Sequence, residues 1–262
     1  MMRPALILVY HGIACIERRL DPRNLVVDPE RFLAQVELLK RRDYEFLTVS
    51  EFVSRMDGGA PSSGLCALTF DDGTIDHVQV LPELLERLDV PATLYVCPGL
   101  LGRPNPFLRP EADLRFLNAD ELRSLAGNPR IEIGSHTRTH LVLEDATEEE
   151  ALAEMIASRT ELEQLIGVPV LTFAYPRCYY SPACPGAAET AGYMAAVTCG
   201  ARGSWRPYEL KRQAMASFDG RLAFELKSRG WWYPLQQSRI GRAMPWAVGL
   251  FRRPLPAEPR DN

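Results

Sequence analysis

Short apolar runs of strand length alternate along this chain with longer stretches whose apolar residues recur at helical spacing. The runs are Leu6 to Tyr10, Leu65 to Phe70, Ala92 to Val96, Ile131 to Gly134, Leu171 to Ala174 and Ala195 to Cys199. Between them, Pro29 to Arg41 places Phe32, Val36 and Leu39 on one face, and Ile75 to Leu88 does the same with Val78, Leu81 and Leu85. Thr147 and Glu150 form a capping box opening a helix that runs to about Ile166, where Gly167 and Pro169 stop it. Strands that alternate with helices predict a parallel sheet or a barrel of βα units. With 262 residues and 46% apolar composition the chain can bury one large core. Pro104, Pro106 and Pro110 mark a loop, because the helical pattern resumes at Asn118.

In such folds reactive groups gather where strands end, at the carboxyl edge. Asp71 and Asp72 follow one apolar run, His136 another, Tyr175 and Pro176 a third, and His11 closes the first. The formal charge of −4 comes with no Lys/Arg block, which argues against a nucleic-acid partner. The N-terminal apolar run is too short for a membrane span or a signal peptide. The six cysteines are scattered without a Cys-x-x-Cys, so reduced thiols and a cytoplasmic location are expected. Cys66, Cys97 and Cys199 read as small hydrophobes within strands.

The chemistry concentrates in two segments. Adjacent carboxylates at a buried strand end repel, so Asp71 and Asp72 call for a cation, strong donors or a raised pKa; alternatively Asp71, Asp72 and Gly73 form only a turn before a helix. His136 and His140 stand four apart, a spacing that aims both rings at one point if the segment takes a helical turn. Two histidines and one carboxylate around a tetrahedral ion leave a position for water, and the second carboxylate can serve as general base.

Thr69 to Asp72, His136-x-x-x-His140 and Phe173 to Pro176 resemble successive motifs of the polysaccharide deacetylase family, the NodB-homology or carbohydrate esterase family 4 proteins. The likeness runs from about Ile7 to Gly230 and includes Val90 to Thr93 and Ala191 to Tyr193. It implies a distorted (β/α) barrel in residues 1–230, hydrolysis of N-acetyl or O-acetyl groups on sugars, and a Zn²⁺ ion that Co²⁺, Ni²⁺ or Mn²⁺ could replace. Carried over, Asp71 is the base and Asp72, His136 and His140 are the ligands.

Two departures stand out. Family members carry a histidine near the end of the domain as catalytic acid, whereas this chain has none after His140. His11 resembles the histidine of a permuted subgroup, the poly-N-acetylglucosamine deacetylases, and is the candidate acid. His77 reads as a capping or surface residue. In the third motif Ala174 stands where many relatives have arginine, and Arg177 and Cys178 follow Pro176. Tyr175 is then a candidate backbone donor to the oxyanion, and Arg177 a pin for Asp71, a substrate contact or a surface residue.

The extension 231–262 mixes Trp231, Trp232, Tyr233, Trp246 and Phe251 with Arg239, Arg242, Arg252 and Arg253. It suits packing on the barrel or peripheral contact with the inner membrane face. The expected substrate is an acetylated sugar, oligosaccharide or lipid-linked glycan, such as an intermediate of exopolysaccharide synthesis. The alternatives are hydrolysis of a cyclic amide or formamide on the same fold, or a carbohydrate-binding relative without turnover.

Overall fold

A computed structural model describes residues 3–57, 59–200 and 203–237. Eight parallel strands form its main sheet: β1 (Leu6–Tyr10), β2 (Glu45–Leu47), β3 (Leu65–Phe70), β4 (Ala92–Val96), β5 (Ile131–Ser135), β6 (Thr172–Ala174), β7 (Ala195–Cys199) and β8 (Leu210–Ala214). The spatial order is β1, β8, β7, β6, β5, β4, β3, β2, and a further pairing of β1 with β3 closes seven of them into a barrel. β2 lies outside the ring on β3. The expected α/β barrel is therefore the observed one.

Strand parity separates two cores. Leu6, Leu8, Tyr10, Cys66, Leu68 and Phe70 pack outward against helices. Ile7, Leu65, Ala67, Tyr95, Ala174, Ala195, Val197 and Leu210 form the second cluster, inside the ring. Several interior residues are alanine, which leaves volume for two large side chains, Tyr95 and Arg212, both fully buried. Gly134 is required by the same crowding: a Cβ there would stand 2.4 Å from the Tyr95 ring.

The surrounding helices are α1 (Pro29–Lys40), α2 (Val49–Ser54), α3 (Asp76–Gln79), α4 (Leu81–Leu88), α5 (Ala119–Ala126), α6 (Glu148–Ile166), α7 (Cys184–Thr190), α8 (Arg221–Ser228) and α9 (Trp232–Gln237). Asp28 caps α1 through the amides of Glu30 and Arg31 with Pro29 in the first turn. Thr147 and Glu150 make the predicted capping box of α6, and Gly167 ends it at φ 73°. The pattern from Ile75 to Leu88 resolves into two helices instead of one. Pro82 cannot donate the bond an unbroken helix needs, and Val80 leaves helical geometry at φ −125°.

No helix among the described residues is long and apolar enough to cross a membrane. Of the C-terminal extension, Trp232 is buried beneath the Lys227 ammonium, while Trp231 is 55% exposed beside Arg229. Trp246, Phe251, Arg239, Arg242, Arg252 and Arg253 lie outside the described residues.

Candidate metal centre

In-phase pairing brings the reactive groups to one rim. Tyr10 pairs with Phe70, so His11 and Asp71 leave the barrel at the same level, and the Asp71 amide donates to the Tyr10 carbonyl at 3.0 Å. Ser135 pairs with Val96 and with Phe173, which sets His136 between the ends of β4 and β6. Its amide donates to the Val96 carbonyl at 3.0 Å, and its ring Nδ1 lies 2.7 Å from the Ala174 carbonyl. A carbonyl only accepts, so Nδ1 carries the hydrogen and the lone pair is on Nε2.

That nitrogen faces Asp72: His136 Nε2 is 3.7 Å and His140 Nε2 3.5 Å from Asp72 Oδ1. One donor atom from each of Asp72, His136 and His140 falls within 4.8 Å of the others. Asp72 Oδ1 is buried and has no hydrogen-bond partner. Burial, and then the charge of Asp71, push the Asp72 carboxyl up to about 8. Burial lowers the pKa of both His136 and His140, with His136 and Arg177 adding to the effect on His140. Two neutral imidazoles and an orphaned carboxylate oxygen converging on one point fit a divalent cation: an ion there would satisfy the oxygen and fill both lone pairs. Zn²⁺ suits the one-oxygen, two-nitrogen donor set.

The convergence does not come from a helical turn. Residues 136–140 are irregular, and Thr137 and His140 take left-handed backbone at φ 59° and 63°. A β-branched residue in that region is strained and persists only where its surroundings hold it. Here Glu154 of α6 does so, accepting from the amides of Arg138 and Thr139 at 2.8 and 3.0 Å and from the Thr139 hydroxyl at 3.1 Å. On the other side the Gly99 amide donates to the Arg138 carbonyl at 2.9 Å, where a Cβ on Gly99 would approach to 2.7 Å. Asp72 itself is left-handed at φ 75°. The Phe107 and His140 ring centres lie 4.9 Å apart, and the Arg23 guanidinium stands 4.9 Å over the Phe107 ring.

Asp71 has a different environment. Arg212 of β8, fully buried, donates to Asp71 Oδ1 at 2.6 Å and Oδ2 at 2.8 Å, and to the Thr69 hydroxyl at 3.1 Å. Burial alone would raise the Asp71 carboxyl; Arg212, His136 and His11 outweigh it and bring it down to about 2. The rim thus holds two adjacent carboxylates, one kept ionised by a guanidinium and one pressed toward neutrality by burial and by its neighbour's charge.

Arg212 is the residue that sequence reasoning missed. The pin suggested for Arg177 belongs to Arg212 instead. Leu210 to Ala214 reads Leu-Lys-Arg-Gln-Ala, with no apolar alternation to announce a strand, and its pairing with β7 on one side and β1 on the other places it in the barrel. Arg177 follows Pro176 in left-handed conformation at φ 54°, on the His140 side of the rim, where its charge lowers that imidazole.

Tyr175 also requires correction. Its amide donates to the Val197 carbonyl at 3.1 Å and its hydroxyl to the Tyr208 carbonyl at 3.0 Å, so both donors are engaged within the fold and the oxyanion role is not supported. His77 is neither exposed nor a ligand: it is fully buried and bridges the Thr74 amide and the His11 carbonyl. His11 is half-buried with Nδ1 out of solvent, and burial lowers its pKa to about 4 against the opposing charge of Asp71.

The reduced-thiol expectation fails for one pair. Cys178 and Cys199, 21 residues apart, are disulfide-bonded, because the pairing of Ala174 with Val197 brings the ends of β6 and β7 together and leaves their Cα atoms 5.2 Å apart. Cys66, Cys97 and Cys184 are buried free thiols and Cys15 an exposed one.

Residues 58–196 match the polysaccharide deacetylase family model, and the chain belongs to that family. It is 27% identical over 193 residues to YxkH of Bacillus subtilis (strain 168), covering 73% of this chain and spanning 63% of that relative's length. In structure it is similar to the deacetylase PplD of Streptococcus pyogenes, solved with acetate (TM-score 0.70, 24% identity, 87% of this chain and 98% of that one). IcaB of Ammonifex degensii is another neighbour (TM-score 0.69, 16% identity, 87% and 97%). Both share its fold.

Proposed function

We propose that the protein is a metal-dependent hydrolase that removes N-acetyl groups from an amino sugar in a glycan or glycan precursor. The observation that carries this reading is the juxtaposition of three convergent donors, Asp72, His136 and His140, with a second carboxylate that Arg212 keeps ionised. A Zn²⁺ ion held by the three donors would polarise the acetyl carbonyl and lower the pKa of water to about 7, which narrows the gap to the weak base Asp71.

The chain's own groups have separate tasks. Asp71 accepts a proton from water, and its fixed Arg212 partner keeps it from drifting onto the ion in place of Asp72. His11, on the same rim, delivers to the departing amine the proton that Asp71 took from water, because the amine is too basic to leave as an anion. Phe107 walls the His140 side against solvent. The likeness of His11 to the histidine of the permuted poly-N-acetylglucosamine deacetylase subgroup supports an N-acetylated oligosaccharide as substrate over an O-acetylated one.

The test is metal content followed by product analysis. Purified protein offered Zn²⁺ or Co²⁺ is expected to hold about one ion per chain, and His136→Ala and Asp72→Ala to hold none while keeping the wild-type circular dichroism. Loaded wild type should release acetate from N-acetylated chito-oligomers. Folded protein that binds neither ion would end the hydrolase reading; formate release from a formamido sugar with no acetate release would move it to another carbon–nitrogen bond.

A further inference from the structure

We propose that Asp76 and His77 are positioning residues that fix His11 against Asp71; this rests on the reading of His11 as the proton donor. Both side chains are completely buried although they follow the carboxylate turn by only a few residues. A buried carboxylate and a buried imidazole need partners, and theirs lie across the barrel rim on the segment after β1.

The bonding defines the tautomer. The Thr74 amide donates to His77 Nδ1 at 3.0 Å, so the ring hydrogen is on Nε2, and Nε2 donates to the His11 carbonyl at 2.7 Å. Asp76 Oδ2 accepts the Ile13 amide at 2.6 Å. With the Asp71 amide on the Tyr10 carbonyl, three backbone groups around His11 are tied to residues 71–77. Gly12 completes the fit: a Cβ there would stand 3.1 Å from Val26 and 3.5 Å from the Asp76 carboxylate.

His11 has no such grip on its ring, since Nδ1 is buried without a partner. Its placement therefore comes through its backbone. The segment that carries the proposed base and one ligand is the segment that sets the proposed acid, so the two proton-transfer groups keep a fixed separation. A displacement of about 1 Å is enough to cost roughly a hundredfold in rate.

A purely structural role and a positioning role differ in how they depend on the leaving group. An amine must be protonated as it departs, whereas p-nitrophenolate leaves without a proton. Zinc-loaded His77→Ala is expected to lose about 100-fold in kcat on N-acetylated chitotriose with KM changed by less than about 3-fold, as His11→Ala does, while His77→Ala keeps p-nitrophenyl acetate turnover within about 3-fold. His77→Gln, with an amide able to reach the His11 carbonyl, should recover part of the loss. Equal losses on both substrates, or no loss on either, would overturn the proposal.

A second measurement is independent of turnover and of whether His77→Ala folds. Histidine-selective ¹⁵N spectra of the wild type should show His77 as the Nε2–H tautomer with slow solvent exchange. A ring protonated at Nδ1 or exchanging freely rules out the clamp whatever the protein hydrolyses. An intact clamp in a wild type that cleaves neither acetyl compound overturns the deacetylase reading instead, and the positioning role with it.

Discussion

The two halves of the rim are held in opposite ways. Asp71 is anchored from inside the barrel by a guanidinium 141 residues away in sequence, through two short charge-assisted bonds with both partners out of water. The loop from His136 to His140 is anchored from outside, by strained backbone and by Glu154, whose bonds to Arg138 and Thr139 are exposed to solvent. A buried ion pair is unforgiving, because losing one partner strands the other in a low-dielectric interior. An exposed carboxylate that grips amides is tolerant, because water can replace it. The difference assigns ionisation of the base to the rigid interior and ligand orientation to a more adjustable surface loop.

The sharpest way to break this comparison is Arg212→Met. It leaves Asp71 buried and unpaired, and the expected destabilisation is about 3–5 kcal/mol, read from urea unfolding. Deacetylation should fall at least about 100-fold, while metal content stays near one ion per chain because the ligand loop is untouched. Adding Asp71→Asn should restore most of the lost stability without restoring activity, since the stranded charge is gone. An unchanged unfolding midpoint in the single variant would show that Asp71 finds compensation elsewhere.

What was legible in the sequence follows the same division. Strands buried on both faces announce themselves as apolar runs, and β1, β3, β4 and β7 begin and end where those runs do. β2 and β8 were not legible: Glu45 to Leu47 is too short, and Leu210 to Ala214 carries Lys211, Arg212 and Gln213 in place of an apolar pattern. Asp71, Asp72, His136 and His140 stood out as candidates because few residue types bind metals and they follow strands. The left-handed turns at Thr137 and His140 did not, because they are imposed by Glu154 and Gly99 from other elements. The Asp71–Arg212 pair and the Cys178–Cys199 bond depend on which strands become neighbours, and that information is absent from any local window.

The surface half of the comparison can be weakened without touching a ligand. Glu154→Ala removes three acceptor contacts from the loop, so the left-handed turns lose their support and the two imidazoles their fixed approach to Asp72. Loss of a group that orients ligands lowers metal affinity by about 10–100-fold, and that is the expected shift in Zn²⁺ competition with a chelator. Glu154 is half-buried and its bonds to the loop are exposed to solvent, so unfolding of the metal-free protein should change little. Unchanged affinity would mean that the Gly99 contact with Arg138 and the His136 bond to Ala174 hold the loop by themselves.

The smallest effect separates holding the loop from holding the helix that holds it. Thr147 caps α6, accepting from the Glu150 amide at 3.2 Å while Glu150 reaches back to the Thr147 amide at 2.8 Å. Thr147→Ala should cost about 1 kcal/mol of stability, the usual price of a lost N-cap. Fraying is confined to the first turn, and Glu154 stands beyond it, near Met155, which is fully buried in the core. Metal affinity is therefore expected to stay at the wild-type value, in contrast to Glu154→Ala. A parallel fall in affinity would show that α6 moves as one body with the ligand loop, and the surface half of the rim would then be as rigidly coupled to the fold as Asp71 is.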